Sequence, residues 1–145
     1  MVRIAEPLVK RYIFTKRAAK PIGPYSQAVQ IGDTVFVSGV LGLNKDTLKL
    51  VEGGAGPEAE QALLNLGHIL DAADSYYANV VKTTVFLADM DDFPTVNEVY
   101  KKYFEEPYPA RSCFQVAKLP LGAKVEIEAI AVSGNVRDVK PGLSA

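Results

Sequence analysis

The chain has 145 residues, 48% of them hydrophobic and 23% charged, which suffices for one domain with a buried core and is too short to expect a second. Its 16 basic and 17 acidic residues nearly cancel, which argues against a global field that would steer the protein to nucleic acid or to an anionic membrane. The one cysteine, Cys113, excludes an internal disulfide framework and indicates a reducing, cytoplasmic setting. We therefore expect one domain over residues 1–145.

The first twenty residues are basic. They contain one acid, Glu6, against six bases: Arg3, Lys10, Arg11, Lys16, Arg17 and Lys20. This composition faintly resembles an organelle transit peptide and leaves a mitochondrial location open, although a charged and partly ordered first segment explains the same residues and is favoured. The sequence has neither an apolar run long enough to span a bilayer nor a secretory signal, so we expect no membrane association.

Two strands and a helix are predicted in the first half of the chain. Apolar residues on both sides of the dipeptide Gly32-Asp33 indicate a β-hairpin, with Ala28, Val29 and Ile31 before the turn and Val35, Phe36 and Val37 after it. From Pro57 the period changes to that of an amphipathic helix whose apolar positions are Ala59, Ala62, Leu63, Leu66, Ile69, Leu70 and Ala73.

The second half alternates strand and helix again. The stretch NVVKTTVFLADM is rich in β-branched residues and predicts a strand, after which Asp91 or Asp92 could cap a helix that begins near Pro94 and presents Val96, Val99, Tyr100, Tyr103 and Phe104. Two strands follow, at 111–117 and 124–132. The order predicts an α+β fold with two helices on one face of a mixed sheet, so the other, partly apolar face needs a partner subunit.

Arg111 is unusual because it begins an otherwise apolar strand. Residues 111, 113, 115 and 117 share one strand face, and we expect this face to be the one without helices, while Ser112, Phe114 and Val116 meet the helix layer. A guanidinium there could grip a carboxylate through two charge-assisted hydrogen bonds of ~1.5–3 kcal/mol each. An ion pair with a neighbouring Asp or Glu is the alternative, and composition alone favours it.

The last strand, KVEIEAIAV, places two carboxylates on one face. Glu126 and Glu128 alternate with Val125 and Ile127, and their own face becomes apolar further along, so at least one glutamate is expected to be partly buried. Burial raises the pKa of a carboxylic acid toward the range where it can transfer protons near neutral pH. Solvated strand-end carboxylates, or salt bridges to Arg111 and Lys124, explain the residues equally well.

Other reactive groups are few. The single histidine, His68, lies on the predicted polar side of the first helix. Because there is only one histidine, a two-histidine ribonuclease mechanism or a histidine-based zinc site within one chain is excluded. Cys113 is in mid-strand without a nearby histidine, as expected for a small core residue rather than a nucleophile. We expect neither a metal nor an organic cofactor.

Five motifs in order carry a family resemblance: IGPYSQAV, VFVSG, VVKTTVFLADMDDFPTVNEVYKKYF, PARSCFQVAKLP and VEIEAIAV. Together they resemble the Rid family of reactive-intermediate deaminases, specifically its RidA branch, over about Val9 to Ser133. The resemblance implies a chorismate-mutase-like fold assembled as a homotrimer with pockets at the subunit clefts. It also implies hydrolysis of 2-enamines and 2-imines, such as 2-aminoacrylate, to a 2-keto acid and ammonia.

The resemblance assigns roles to seven residues. Arg111 grips the substrate carboxylate, Glu126 and the backbone carbonyl of Cys113 place the attacking water, and four residues line the pocket: Tyr25, Ser38, Gly39 and Asn97. One departure is Val40, which stands where the family usually has glutamine after Ser-Gly, and it could alter the substrate range. Relatives are also described as translation-inhibiting endoribonucleases and as non-enzymatic scaffolds or chaperones, and these remain the competing functions.

Overall fold

The computed structural model describes residues 5–142, so Arg3 of the basic first segment lies outside the described residues. The strands are β1 Lys10–Ile13, β2 Ala28–Ile31, β3 Thr34–Leu41, β4 Val80–Leu87, β5 Ala110–Gln115 and β6 Val125–Val132, and the helices are α1 Ala55–Ala72 and α2 Phe93–Tyr100. The sequence pattern does not predict β1. This edge strand is short, and three of its four residues are exposed, so it lacks the apolar alternation of a buried strand.

The six strands form one mixed sheet in the order β1-β2-β3-β6-β4-β5. Strands β4 and β5 are joined through α2 and pair in parallel, whereas every other neighbouring pair is antiparallel. Strands β3 and β4, joined through α1, both pair antiparallel with β6 between them and therefore run parallel to each other. The prediction of an α+β fold with a mixed sheet and two helices is confirmed.

Most element boundaries lie within a few residues of those predicted. The hairpin turns at Gly32, whose φ of 56° is the left-handed conformation that glycine adopts without steric cost. Helix α2 follows Asp92, but no side chain caps it, and the cap is instead one turn earlier, where Asp89 accepts from the Asp91 backbone N–H. Tyr103 and Phe104 lie beyond the end of α2, although Phe104 is still fully packed in the core.

The core lies between the two helices and one face of the sheet. Leu63, Leu66 and Leu70 of α1 are inaccessible to solvent, as are inward-facing residues of the central strands: Val35, Val85, Leu87, Val125 and Ile127. No helix covers the other sheet face in the described part of the chain, and on it the side chains of Phe36 and Phe114 each remain 46% exposed. Among residues 5–142, no helix has the length and apolar character required to cross a membrane.

Candidate active site

The orientation of strand β5 reverses one prediction. Arg111 pairs with Thr83 and Cys113 pairs with Val85, and both of these β4 residues are fully buried beneath the helices. Arg111 and Cys113 therefore lie on the helix-covered side of the sheet, whereas Phe114 lies on the uncovered side. The expected assignment of faces was wrong because β5 is an edge strand that is largely exposed on both faces, so its apolar residues do not indicate which face meets the helices.

Arg111 lies at the margin of the helix layer, against α2. Its guanidinium carbon is 4.8 Å from the centroid of the Tyr100 ring and 5.6 Å from that of Phe93, and its Nη1 donates to Asn97 Oδ1 at 2.8 Å. No Asp or Glu among residues 5–142 forms an ion pair with it. The expected alternative of an ion pair is therefore wrong within the described chain, and the exposed guanidinium keeps donors available for a ligand.

A cleft of about 420 Å³ opens beside this guanidinium, and we call it the Arg111 cleft. Its walls are formed by Asn97, Glu98, Tyr100, Lys101, Tyr108, Pro109 and Arg111. Asn97 was predicted to line a pocket. Tyr100 and Tyr108 were not, because Tyr100 fits the apolar stripe of its helix and Tyr108 lies in the exposed loop before β5.

Cys113 packs against the core from the same face as Arg111. Its side chain is partly buried, and burial raises the pKa of the thiol despite the opposing effect of the Arg111 charge. A raised pKa leaves the thiol protonated at neutral pH and a poor nucleophile. This agrees with the sequence interpretation of Cys113 as a small core residue rather than a nucleophile.

Glu126 lies on the opposite face of the sheet. Its register partners are Leu41 on β3 and Phe86 on β4, and Phe86 in turn packs edge-on against Phe114 with ring centroids 5.4 Å apart. Burial in this partly apolar setting raises the pKa of Glu126, and the negative charge of Glu128 raises it further. The expectation of a partly buried glutamate on this strand is confirmed.

A bulge in β3 brings Ser38 and Gly39 against Glu126. The register between β3 and β6 shifts between Val37 and Val40, and a Cβ atom at Gly39 would overlap the Glu126 carboxylate. Any side chain at position 39 would displace the Glu126 carboxylate, so only glycine fits there. The bulge is fixed by Ser38, whose Oγ donates to the Ser26 carbonyl at 2.6 Å.

These residues line a second cleft, of about 370 Å³, which we call the Glu126 cleft. Its walls are formed by Ile22, Tyr25, Ser38, Gly39, Leu41, Pro120, Glu126 and Glu128. Tyr25 is itself held, because its hydroxyl oxygen accepts from the backbone N–H of Ile22 at 3.2 Å. The carboxylates of Glu126 and Glu128, the hydroxyls of Tyr25 and Ser38 and the open backbone at Gly39 place several polar groups in a cleft whose other walls are apolar, so a water molecule or a small ligand could bind beside Glu126.

The seven residues predicted from the family resemblance thus separate into two groups. Arg111, Asn97 and Cys113 belong to the helix-covered side of the sheet, and Tyr25, Ser38, Gly39 and Glu126 belong to the uncovered side. A single chain therefore does not bring its own Arg111 and Glu126 into one pocket. The Arg111 cleft holds Asn97 and Arg111, the Glu126 cleft holds Tyr25, Ser38, Gly39 and Glu126, and the side chain of Cys113 lines neither cleft.

Residues 15–133 match the protein family described as Endoribonuclease L-PSP. The chain belongs to this family. It is 58% identical to RutC family protein UK114 of Drosophila melanogaster, with 89% of this chain and 94% of the relative covered. A Mus musculus relative named 2-iminobutanoate/2-iminopropanoate deaminase is 57% identical, covering 88% and 94% of the two chains.

The solved structure of RidA from the Antarctic bacterium Psychrobacter superposes with a TM-score of 0.82 at 45% identity, covering 84% of this chain and 98% of that one. The resemblance to the Rid family is confirmed.

Val40, the departure from the family pattern, lies outside both clefts. In this L-PSP family member, Val40 pairs with Ile127 and is 7% exposed in the core on the helix side, so it does not line the Glu126 cleft.

His68 lies on α1 and lines neither cleft. Burial is the main cause that lowers its pKa, and the positive charge of Arg17 is the next. Among the described residues, no three His, Cys, Asp or Glu side chains converge as a metal site would require.

Proposed function

We propose that this protein is a hydrolytic deaminase that converts reactive 2-enamines and their 2-imine tautomers to a 2-keto acid and ammonia. The observation that carries the proposal is the guanidinium of Arg111, which is held against α2 and has no acidic partner among residues 5–142, so that it is available for a substrate carboxylate. The relatives named 2-iminobutanoate/2-iminopropanoate deaminase support this choice of substrate class.

The proposed chemistry requires only the groups already described. Arg111 binds the carboxylate with two charge-assisted hydrogen bonds, while Asn97 orients the guanidinium. The protonated imine carbon is electrophilic, so one oriented water suffices, and we assign its placement to Glu126 and the backbone carbonyl of Cys113. Tyr25, Ser38 and Gly39 form the wall around that water.

Proton transfers complete the reaction. The water oxygen bonds to C2 as the π pair of the C=N bond moves to nitrogen and a water proton passes to Glu126, which gives a neutral carbinolamine. Glu126 then returns that proton to the amine nitrogen, the C–N bond breaks with its electron pair leaving on ammonia, and the hydroxyl proton passes to the Glu126 carboxylate as the ketone forms. Ammonia takes this last proton, directly or through solvent, so the products are the keto acid and ammonium and Glu126 is again ionised. No electron is transferred to or from the substrate, so the sequence needs no redox partner.

We further propose that each site is completed by a second copy of the chain. Because Arg111 and Glu126 of one chain lie on opposite faces of the sheet, a site containing both requires the Arg111 cleft of one copy to meet the Glu126 cleft of another. The uncovered sheet face, with Phe36 and Phe114 exposed, offers apolar surface for this contact. We propose a homotrimer, which closes a ring of three equivalent interfaces.

Mixing two inactive variants tests the shared site. Arg111→Ala and Glu126→Gln subunits are unfolded and refolded together in equal amounts. If each site takes one residue from each of two copies, about one site in four combines an intact Arg111 with an intact Glu126, and activity returns to about a quarter of wild type. Light scattering of each sample reports the assembly. A mixture as inactive as its separate components, in trimers of normal mass, would contradict the shared site.

The activity itself is tested with 2-imino acid generated in situ. An amino-acid oxidase or a dehydratase supplies the imine, semicarbazide traps what escapes, and the trapped fraction is followed with and without the protein. We expect wild type to divert the imine to keto acid, so that the trapped fraction falls with protein concentration. A trapped fraction equal to that in buffer at every protein concentration would refute the deaminase proposal.

The family description favours one second candidate, an endoribonuclease. The described residues offer that chemistry one histidine, His68, which lines neither cleft. The same purified samples distinguish the two candidates: a ribonuclease activity that belongs to this chain is lost in a single-residue variant of its site, whereas a contaminating nuclease persists. We also propose one Rid-type domain over residues 1–145, since the family match covers residues 15–133. A cytoplasmic or mitochondrial location is proposed from the single cysteine and the basic first segment.

A further inference from the structure

Arg111 is held entirely by one helix, and its support continues into the core. Phe93, Asn97 and Tyr100, which contact the guanidinium, are all residues of α2. An exposed arginine otherwise samples many rotamers, so an ordered contact surface reduces the entropy lost when a ligand binds. The nearest of the two rings is that of Tyr100, at 4.8 Å.

The ring of Tyr100 is in turn fixed by a buried hydrogen bond. Its hydroxyl and the hydroxyl of Thr83 are 2.8 Å apart. Thr83 is completely buried, Tyr100 is 5% exposed, and Phe104 packs against the ring on its core side with centroids 4.5 Å apart. Because a buried hydroxyl without a partner is costly, the ring cannot tilt away from Thr83 without penalty.

The position of Thr83 in the sheet relates this bond directly to Arg111. Thr83 is the register partner of Arg111 across the parallel β4–β5 pair, so the two side chains project from adjacent strands toward the same helix. The neighbouring inward positions on β4 are Val85 and Leu87, both fully buried. Valine shares the β-branched shape of threonine, so packing alone does not explain the hydroxyl at position 83.

We propose that Thr83 is a positioning residue for carboxylate binding, acting through Tyr100 on Arg111. The shared hydrogen bond fixes the Tyr100 ring, and the ring fixes the orientation in which the guanidinium presents its donors to the Arg111 cleft. This inference rests on the proposed function in taking the ligand to be a 2-imino or 2-keto carboxylate. Thr83 itself lines neither cleft, so its proposed effect on anion binding reaches Arg111 only through Tyr100.

Three substitutions separate positioning from stability. Thr83→Val removes the hydroxyl and keeps the shape, Thr83→Ser restores a hydroxyl, and Tyr100→Phe combined with Thr83→Val removes both polar groups and leaves no unsatisfied donor. Thr83→Val loses the hydrogen bond that fixes the Tyr100 ring. This loss is expected to raise KM by about three- to tenfold, the equivalent of one hydrogen bond, while kcat changes little. Thr83→Ser is expected to return KM toward wild type. The double variant is expected to regain thermal stability and yet keep the raised KM.

Direct binding makes the test independent of turnover. Pyruvate is titrated into each variant by NMR, with pyruvamide as the uncharged control, and the guanidinium resonances of Arg111 report the ring current of Tyr100. We expect pyruvate affinity to fall in Thr83→Val and in the double variant, pyruvamide binding to stay unchanged, and the Arg111 resonances to move. Pyruvate affinity equal to wild type in both variants would overturn the positioning role. If pyruvate binding depends on Arg111 and Thr83 while no imine is hydrolysed, the positioning role stands and the deaminase proposal fails.

Discussion

Arg111→Ala is expected to lower kcat/KM for a 2-imino acid by about 10²- to 10⁴-fold, because it removes the two charge-assisted hydrogen bonds, of ~1.5–3 kcal/mol each, that we propose between Arg111 and the substrate carboxylate. The folded structure and the assembly should persist, since Arg111 is exposed and forms no ion pair in the described chain. The measurement is the semicarbazide-trapping assay with circular dichroism and light scattering on the same samples.

Two further substitutions show whether the loss of activity is specific to the guanidinium of Arg111. Arg111→Lys keeps the positive charge but loses the planar pair of donors, so we expect an activity between those of wild type and the alanine variant. Lys49→Ala removes an exposed cation that lines neither cleft and should leave activity at the wild-type level. Full activity in Arg111→Ala, or equal losses in Arg111→Ala and Lys49→Ala, would remove Arg111 from the site.

Glu126→Gln is expected to lower kcat by about 10²- to 10⁴-fold, the usual contribution of a positioned general base. The amide keeps the size of the side chain beside Gly39 but cannot accept the proton of the attacking water. KM should change little, because we assign the substrate carboxylate to Arg111 and not to Glu126. A Glu126→Gln variant with wild-type kcat would exclude Glu126 as the base.

The pH dependence follows from the raised pKa of Glu126. Its proposed role requires the ionised form, so activity should fall as the pH falls through a pKa that burial and Glu128 have raised above the ordinary value of a glutamic acid. Glu128→Gln removes the repelling charge, lowers the pKa of Glu126 and should shift the acidic limb of the kcat profile to lower pH. An acidic limb at the same pH in both proteins would assign it to another group.

Residue patterns predict most of the architecture because the elements are strongly periodic. The apolar spacing along α1 and the β-branched run of β4 leave little ambiguity, and the alternation of strands and helices favours a parallel β4–β5 pair. Strand β1 is not predicted because only Ile13 of its four residues is buried, which is too few to produce an apolar alternation. The faces of β5 are not predicted for the same reason, since most of its residues are exposed on both sides.

Motif resemblance proposes the members of the candidate site but does not give their arrangement. It singles out Arg111 and Glu126, yet nothing local in the sequence shows that β5 and β6 present these two side chains to opposite faces. That relation depends on strand order and register, which are set by pairings distant in sequence. The Thr83–Tyr100 hydrogen bond is hidden in the same way, because both residues fit the apolar patterns of their elements.

The two clefts also differ in the sequence separation between the elements that form them. The Arg111 cleft and its supports come from the consecutive elements β4, α2 and β5, whereas the Glu126 cleft joins the loop before β2, the bulge of β3 and the last strand. Contacts between neighbours in sequence form fastest, and contacts across most of a chain form late. A newly synthesised chain should therefore form the Arg111 cleft before the Glu126 cleft. If each site is shared between two copies as proposed, neither cleft should turn over an imine until subunits associate.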